Sequence, residues 1–296
     1  MNTRIISALA SLKKEILESD KKILFITGAG LSLDSGIPLF RSDSNNNDSS
    51  AIWNSKLEEW ATIGSFKRDP TRWYSTFHSN FKYWNSFLTA EPNEGHIILS
   101  KLCSNYPTRV RVITQNIDGL MELSNCPKDN IIEVHGRIHY LRCTNHSCDY
   151  SHSKYLSADW MGLVNQDNRI SRDFYLKWNC PSCNSPTLPL FLLFDESYAS
   201  HAFYQWEKAK AWMKEADIMI FIGTSFSVLC TDFCLYYAYS NQIPVYNVNI
   251  RPSPIYFELN RDDGGFEIIE YPNNLVHNIT KTSTDFLTAL LPVDSN

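Results

Sequence analysis

Short apolar runs that end in glycine constrain the fold of this 296-residue chain more than any other feature. Residues 23–26 (ILFI) break into the turn 28–30 (GAG), and residues 218–222 (IMIFI) break into Gly223. Runs of this length without alternation, bounded by turn residues, are typical of strands buried on both faces of a parallel sheet. Segments of helical spacing separate the runs. The sequence therefore predicts an α/β fold built on a doubly wound parallel sheet.

Polar side chains follow other predicted strands at the point where each strand ends. Residues 131–134 (IIEV) end at His135, and residues 109–114 (RVRVIT) run into Gln115, Asn116 and Asp118. Open α/β sheets bind ligands at this edge, and glycines there leave no Cβ in the way of a nucleotide phosphate. The alternatives are caps of helices or turns for the polar segment and a structural role for His135, whose ordinary pKa would also suit a general base. His96 is interpreted as a packed histidine on a capped helix over residues 91–102.

Four of the eight cysteines form two close pairs, C-x4-C and C-x2-C, separated by 31 residues. Two such pairs suit a tetrahedral zinc site whose positions are all filled by thiolates, so the metal would be structural. The predicted zinc ligands are Cys143, Cys148, Cys180 and Cys183. The N-terminal stretch is interpreted as an amphipathic helix and not as a signal peptide. We therefore expect an intracellular, cytoplasmic location, with the nucleus left open, and metal binding in preference to disulfides.

Charge and hydropathy exclude two classes of partner. The formal charge of −5 and the pI of about 5.9 predict no nucleic-acid partner. The longest apolar runs are too short to cross a bilayer, so no membrane association is expected. Residues 42–50 contain no apolar side chain and form either a loop that closes over a ligand or a solvated connector. The aromatic-rich residues 51–90 predict a small helical module.

In their order along the chain, these motifs resemble the sirtuin family of NAD-dependent protein deacylases. The motifs are GAGLSLDSGIPLFR, TQNIDGL, VHG, the two cysteine pairs, GTSFSV and VNI. The resemblance covers most of residues 21–250. It implies a Rossmann-like NAD-binding domain (residues 1–41, 92–140 and 187–296), a mobile loop plus helical module (42–91) and a zinc-binding module (141–186). It also implies a protein-lysine deacylase of the deacetylase type, which acts on an acylated-lysine protein or peptide and forms nicotinamide and O-acyl-ADP-ribose.

The resemblance further implies roles for individual residues. His135 would be the base that acts on the nicotinamide-ribose hydroxyls, with Asn116 as the second catalytic residue. Phe194 and Phe226 would flank the acyl-lysine peptide, which would add as a strand. The residues implied to bind NAD are Gly28, Ala29, Gly30, Ser32, Phe40, Arg41, Gln115, Asn116, Asp118, Gly223, Thr224, Ser225 and Asn249.

Three positions depart from the family pattern. Leu39 replaces the usual Asp, Met121 the usual His, and Asp195 the usual Gly of a Phe-Gly-Glu segment. All three are expected near the substrate or the nicotinamide, so the acyl preference and the reaction outcome stay open. An NAD glycohydrolase or a mono-ADP-ribosyltransferase that uses the same NAD pocket is the alternative. A third hypothesis, a non-enzymatic NAD-binding scaffold, is disfavoured by the intact His135. No Tyr-x-x-Arg pair of the kind expected for succinyl-lysine follows the polar loop at the required spacing, because Tyr74 is followed by Ser75, Thr76 and Phe77.

Overall fold

The computed structural model describes residues 3–39, 60–79, 86–158, 179–252, 254–260 and 266–291. A parallel sheet of six strands lies at its centre and follows the spatial order β11-β8-β7-β1-β2-β3. These strands are β1 (Ile23–Thr27), β2 (Val110–Thr114), β3 (Ile131–Glu133), β7 (Ile218–Ile222), β8 (Val245–Asn249) and β11 (Val276–Thr280). The predicted doubly wound parallel sheet is confirmed.

Helices cover both faces of this sheet, because successive residues of each buried strand point to opposite sides. On β1, Ile23 and Phe25 pack against one group of helices, whereas Leu24 and Ile26 pack against the other. The first group comprises α1 (Thr3–Glu18), α4 (Glu94–Asn105) and α8 (Ser283–Leu290). The second group comprises α6 (Trp206–Glu215) and α7 (Leu229–Ser240). Both faces of the sheet are therefore buried, which explains the unalternating apolar runs.

A second, antiparallel sheet has the order β5-β4-β6. Its strands are β4 (Gly136–Cys143), β5 (Leu156–Ser157) and β6 (Thr187–Phe191). The helical module, with α2 (Ile63–Arg68) and α3 (Pro70–Ser79), packs on this sheet through a cluster that includes Trp73 and Tyr74. The small sheet extends beyond residues 141–186, because β4 begins at Gly136 and β6 ends at Phe191.

The remaining elements are short. Helix α5 (Leu120–Leu123) follows β2, and an antiparallel hairpin of β9 (Tyr256–Asn260) and β10 (Phe266–Glu270) packs against α7. The sequence patterns did not predict this hairpin. A single 3-10 turn, Ala202–Tyr204, precedes α6. Among the described residues, no helix is both long and apolar enough to cross a lipid bilayer.

Candidate active site

A cavity of about 740 Å³ lies at the carboxyl ends of the six central strands. Its wall includes residues from the segments that follow each of these strands, as expected for an open α/β sheet. The volume is within the range of ligand-binding cavities. The predicted site residues in its lining are Gly28, Ala29, Gly30, Ser32, Gln115, Asn116, Asp118, His135, Phe194, Gly223, Thr224, Ser225, Phe226 and Asn249. Phe40 and Arg41 lie outside the described residues.

The glycine turns after β1 and β7 pack directly against each other. The Gly30 amide donates to the Gly223 carbonyl oxygen over 2.9 Å, and a Cβ added to Gly30 would lie 2.6 Å from the Gly223 Cα. Gly28 is equally restricted, because its Cβ would lie 2.8 Å from the same carbonyl oxygen. The sequence pattern predicts that glycines at these positions leave room for a ligand, because they carry no Cβ. The structure adds a second cause, the close contact of two backbone segments.

Ser32 is the centre of a buried hydrogen-bond network. Its hydroxyl group donates to Asp118 Oδ2 over 2.7 Å and accepts a hydrogen bond from Asn116 Nδ2 over 3.0 Å. His96 Nε2 lies 3.4 Å from the same hydroxyl oxygen. The Asn93 amide donates to His96 Nδ1, so Nε2 carries the proton and donates to Ser32. Each hydrogen-bonding position of the Ser32 hydroxyl thus has a partner.

Burial governs the protonation of this network. It lowers the pKa of His96 to about 4, so the imidazole is neutral at physiological pH. Burial is also the main cause that raises the pKa of Asp118, and hydrogen bonds from Leu120 N and the Ser32 hydroxyl counteract it. Two polar residues from the loop after β2 are therefore fixed beside the turn after β1.

His135 lies directly after β3, at the other end of the cavity from β8. Its Nδ1 is 2.8 Å from the Gln115 carbonyl oxygen, and its Nε2 is 3.0 Å from the Tyr198 hydroxyl. A carbonyl oxygen can only accept, so Nδ1 carries the proton and Nε2 carries the lone pair, which accepts from the Tyr198 hydroxyl. Burial lowers the pKa of His135 to about 4, although the Gln115 carbonyl raises it. The imidazole is therefore a neutral base of fixed tautomer at physiological pH.

Among the fully buried side-chain polar atoms of the described wall residues, one has no hydrogen-bond partner. The Gln115 Nε2 amide is buried and finds no hydrogen-bond acceptor among the described residues. Buried donors are almost always satisfied in native proteins, so this one indicates a ligand that offers an acceptor. A dinucleotide, rich in hydroxyl and phosphate oxygens, fits the combination of this donor with the two glycine turns.

The surroundings of residues 194–196 explain one departure from the family pattern. Phe194 lies in the cavity wall and is 47% exposed, whereas Asp195 points away from the cavity. The Asp195 carboxylate accepts hydrogen bonds from the amides of Ile63 (2.7 Å) and Gly64 (2.9 Å), at the first turn of α2. A glycine could not form these bonds. Asp195 therefore links residues 194–196 to the helical module through these two hydrogen bonds.

The other two departures differ from each other. Leu39 lies in the cavity wall, as expected. Met121 is 2% exposed and packs in the core with α1, α4 and α8, and it is not part of the cavity wall. Met121 therefore does not line the cavity in which the substrate and the nicotinamide are expected. Met121 lies on the buried face of the short helix α5.

The four predicted zinc ligands come together at the end of the small sheet. Their sulfur atoms all lie within 4.8 Å of one another, with 3.4 Å between Cys143 and Cys183 and 3.7 Å between Cys148 and Cys180. Zn–S bonds of about 2.3 Å in a tetrahedron would separate the sulfurs by about 3.8 Å. The donor set and its spacing therefore fit zinc with no open coordination position.

The sequence patterns did not single out Tyr198 as a site residue, and they predicted only a packed position for His96. Tyr198 contacts His135 across 63 positions, and no local motif marks it. His96 did leave a signal, because Asn93 and His96 form a reciprocal cap at the start of α4. This cap fixes the orientation of the imidazole, which explains why its other nitrogen meets Ser32.

Sequence comparison identifies relatives of the chain. A family model described as the Sir2 family matches residues 28–230. A protein from Dictyostelium discoideum named NAD-dependent deacetylase sir2E is 39% identical over 242 residues, which are 81% of this chain and 68% of that protein. An NAD-dependent protein deacylase from Pyrococcus furiosus is 33% identical over 250 residues, 83% of this chain and 88% of that protein.

Structural comparison supports the same fold. A mutant Sir2 homologue in complex with ADP-ribose superimposes with a TM-score of 0.67 at 22% identity, covering 95% of this chain and 94% of that chain. A structure described under the mechanism and regulation of Sir2 enzymes gives a TM-score of 0.66 at 24% identity, with coverages of 98% and 97%. At this level of identity the likeness concerns the fold alone.

Proposed function

The chain belongs to the Sir2 family, and we propose that it uses the cavity at the sheet edge to remove acyl groups from protein lysines with NAD as co-substrate. Its relatives are named NAD-dependent protein deacylases and deacetylases, which supports this activity over NAD hydrolysis or ADP-ribosyl transfer. One observation carries the proposal: the wall of a single cavity holds both a neutral histidine whose unprotonated nitrogen is Nε2 and the network of Ser32, Asn116 and Asp118.

The two glycine turns and the polar loop after β2 would hold NAD. Gly28, Gly30 and Gly223 offer a wall without side chains to the pyrophosphate, and Gln115 Nε2 offers an unused donor. Asn249, which donates to the Thr224 carbonyl, would contribute to the adenosine end. When bound, NAD supplies an electrophilic ribose carbon and nicotinamide as a leaving group. The protein then has to orient the ribose, exclude water and accept a proton.

His135 would accept that proton. Its Nδ1–H bond to Gln115 fixes the ring, and the resulting imidazolium would stay bonded to the same carbonyl oxygen. Asn116 and Ser32 would position the ribose and the nicotinamide. The acylated-lysine peptide would lie between Phe194 and Phe226, which both contribute to the cavity wall.

Product analysis tests the activity. The protein is incubated with NAD and an acetyl-lysine peptide, and the products are identified by mass spectrometry. We expect O-acetyl-ADP-ribose and free lysine peptide only when both reactants are present. Release of nicotinamide at the same rate without peptide would refute deacylation in favour of the glycohydrolase.

A pair of histidine variants tests the base. His135→Ala should abolish turnover while NAD still binds, because the substitution removes the base and leaves the glycine turns intact. His277→Ala is the control, since His277 lies on β11 outside the cavity wall and should leave turnover unchanged. Activity retained in His135→Ala would exclude His135 from the mechanism.

The four-cysteine cluster would bind one structural zinc ion. All four ligands are thiols, so such an ion would stabilise the small sheet and take no part in the reaction. Metal analysis of freshly prepared protein should find one equivalent of zinc, and well under one equivalent would contradict the proposal. We also propose the division into an NAD-binding domain (1–41, 92–140 and 187–296), a loop plus helical module (42–91) and a zinc module (141–186), and the clustering of the four cysteines supports the last of these.

A further inference from the structure

The lone pair of the proposed base is already occupied. Tyr198 Oη lies 3.0 Å from His135 Nε2, in the position that a ribose hydroxyl would need in order to transfer its proton. Tyr198 is itself part of the cavity wall and is 7% exposed. A base whose lone pair is taken by a protein donor cannot act on a ligand until that hydrogen bond is exchanged.

The direction of each hydrogen bond follows from its neighbours. The Cys230 amide, in the first turn of α7, donates to Tyr198 Oη over 3.3 Å. The phenolic hydrogen is thus free to point at His135 Nε2, and the Nδ1 hydrogen points at the Gln115 carbonyl. Burial raises the pKa of Tyr198, so the phenol stays protonated and remains a donor. The result is one continuous chain of donors that ends on a backbone carbonyl.

Aromatic packing holds the phenol in this position. The Tyr198 ring stacks on Trp206 with a centroid distance of 4.3 Å, and Trp206 meets Phe233 edge to face. The Tyr198 ring also lies close to the imidazole of His135, with 5.6 Å between centroids and 29° between the ring planes. These ring contacts with Trp206, at the start of α6, and with His135 hold the phenol beside Nε2.

We propose that Tyr198 is a positioning residue that caps the Nε2 lone pair of His135 in the ligand-free enzyme and yields it to a ribose hydroxyl of NAD when NAD binds. This inference rests on the proposed role of His135 as the base. The cap holds the imidazole neutral and correctly oriented while the cavity is empty. Binding of NAD then exchanges one hydrogen bond to Nε2 for another.

The substitution Tyr198→Phe separates this role from packing, because it removes one oxygen atom and keeps the ring stack. The hydrogen bond to neutral His135 is lost, so the pKa of His135 in the free protein should rise by about 0.4 to 1. NAD no longer has to displace the phenol, so its dissociation constant should fall about 2- to 10-fold. The acid limb of the kcat/KM profile should move to higher pH, whereas that of kcat, which reports the complex, should not move.

Tyr204→Phe is the matched control. Tyr204 is also buried, its ring lies beside Gly136, next to His135, and its hydroxyl group has no hydrogen-bond partner among the described residues. Loss of that hydroxyl should change neither the pKa of His135 nor NAD affinity. The pKa is measured by NMR titration of ¹⁵N-histidine-labelled protein without ligand. This measurement needs no turnover, so failure of the deacylase assay and failure of this inference remain distinguishable.

Two results would overturn the inference. If Tyr198→Phe leaves the pKa and NAD affinity where Tyr204→Phe leaves them, Tyr198 only fills space. If Tyr198→Phe lowers kcat at least 100-fold at every pH, the phenol acts in the reaction and is not displaced. Wild-type protein provides a test without a substitution: the ¹³Cζ resonance of Tyr198 should shift on saturation with ADP-ribose. An unmoved resonance would show that the hydroxyl group keeps its place on His135.

Discussion

The contact between the two glycine turns predicts a graded response to single methyl groups. In Gly30→Ala the new Cβ would lie 2.6 Å from the Gly223 Cα and 3.1 Å from its carbonyl oxygen. Carbon atoms pack at about 3.5–4.0 Å, so the turns must separate by about 1 Å. Overpacking of this kind costs about 1–3 kcal/mol, with the upper part expected because both partners are backbone. Since both turns belong to the cavity wall, NAD affinity should fall as well.

Two other glycines serve as controls for the added methyl group. Gly36 has a φ of +81°, and no atom lies within 4 Å of the place that a Cβ would take, so Gly36→Ala carries only the backbone cost of about 1 kcal/mol. Gly64 has ordinary helical surroundings in α2, with Asp195 Oδ2 at 3.5 Å as the nearest atom. Gly64→Ala should therefore stabilise the protein by about 0.5 kcal/mol through its helix propensity.

Thermal unfolding followed by tryptophan fluorescence measures the series, with NAD titration as the second readout. In a protein of this size, 1 kcal/mol corresponds to a change in Tm of about 2 °C. From the highest Tm to the lowest, the expected order is Gly64→Ala, wild type, Gly36→Ala and Gly30→Ala. Only Gly30→Ala should bind NAD more weakly than the wild type. A Gly30→Ala protein as stable as Gly36→Ala, with unchanged NAD affinity, would refute the packing of the two turns.

Four further predictions concern single features of the site. Ser32→Ala should lower stability by about 2–3 kcal/mol, measured by urea unfolding, because Asp118 and His96 each lose a buried partner. Cys148→Ser should reduce the zinc content found by elemental analysis and lower the Tm, whereas Cys103→Ser should leave the zinc content unchanged. Asp195→Ala should cost about 1 kcal/mol in thermal unfolding by removing the acceptor at the start of α2. In an acyl-peptide panel, acetyl-lysine should be processed faster than succinyl-lysine, and the reverse order would mean that a cation reaches the acyl group.

Local patterns carried much of the fold prediction. Residues 23–26 and 218–222 were identifiable as buried strands because no polar residue interrupts them, and β1 and β7 are indeed neighbours in the central sheet. The cysteine spacing was equally informative, since each pair occupies one short segment. The missed hairpin of β9 and β10 had a signal too: Asp-Asp-Gly-Gly between two segments rich in Tyr, Phe and Ile is a turn sequence between strands.

Side-chain partners in the site were not predictable in this way. Ser32 meets His96 across 64 positions, and His135 meets Tyr198 across 63. Such contacts depend on the order of strands in the sheet and on the rotation of each helix, which no local pattern specifies. The sequence placed Gln115 and His135 at the same edge of the sheet. Only the structure shows that the carbonyl oxygen of Gln115, and not its side chain, fixes the imidazole of His135.

The three residues that depart from the family pattern differ in what their side chains contact. Met121 packs in the core and Asp195 accepts hydrogen bonds at the start of α2, and neither side chain contributes to the cavity wall. Leu39 is the third departure, and it lies in the cavity wall, whose lining also includes Ile37, Trp60 and Phe87.

The position of the cationic side chains bears on the acyl group in the same way. Among the described wall residues, the cations are Arg251 and Lys281, which follow β8 and β11. His135 follows β3, four strand positions from β8 and so about 19 Å away in the sheet. An Arg side chain spans less than half of that distance. These two cations therefore cannot pair with a charged group beside His135, and this favours an uncharged acyl chain over a succinyl group.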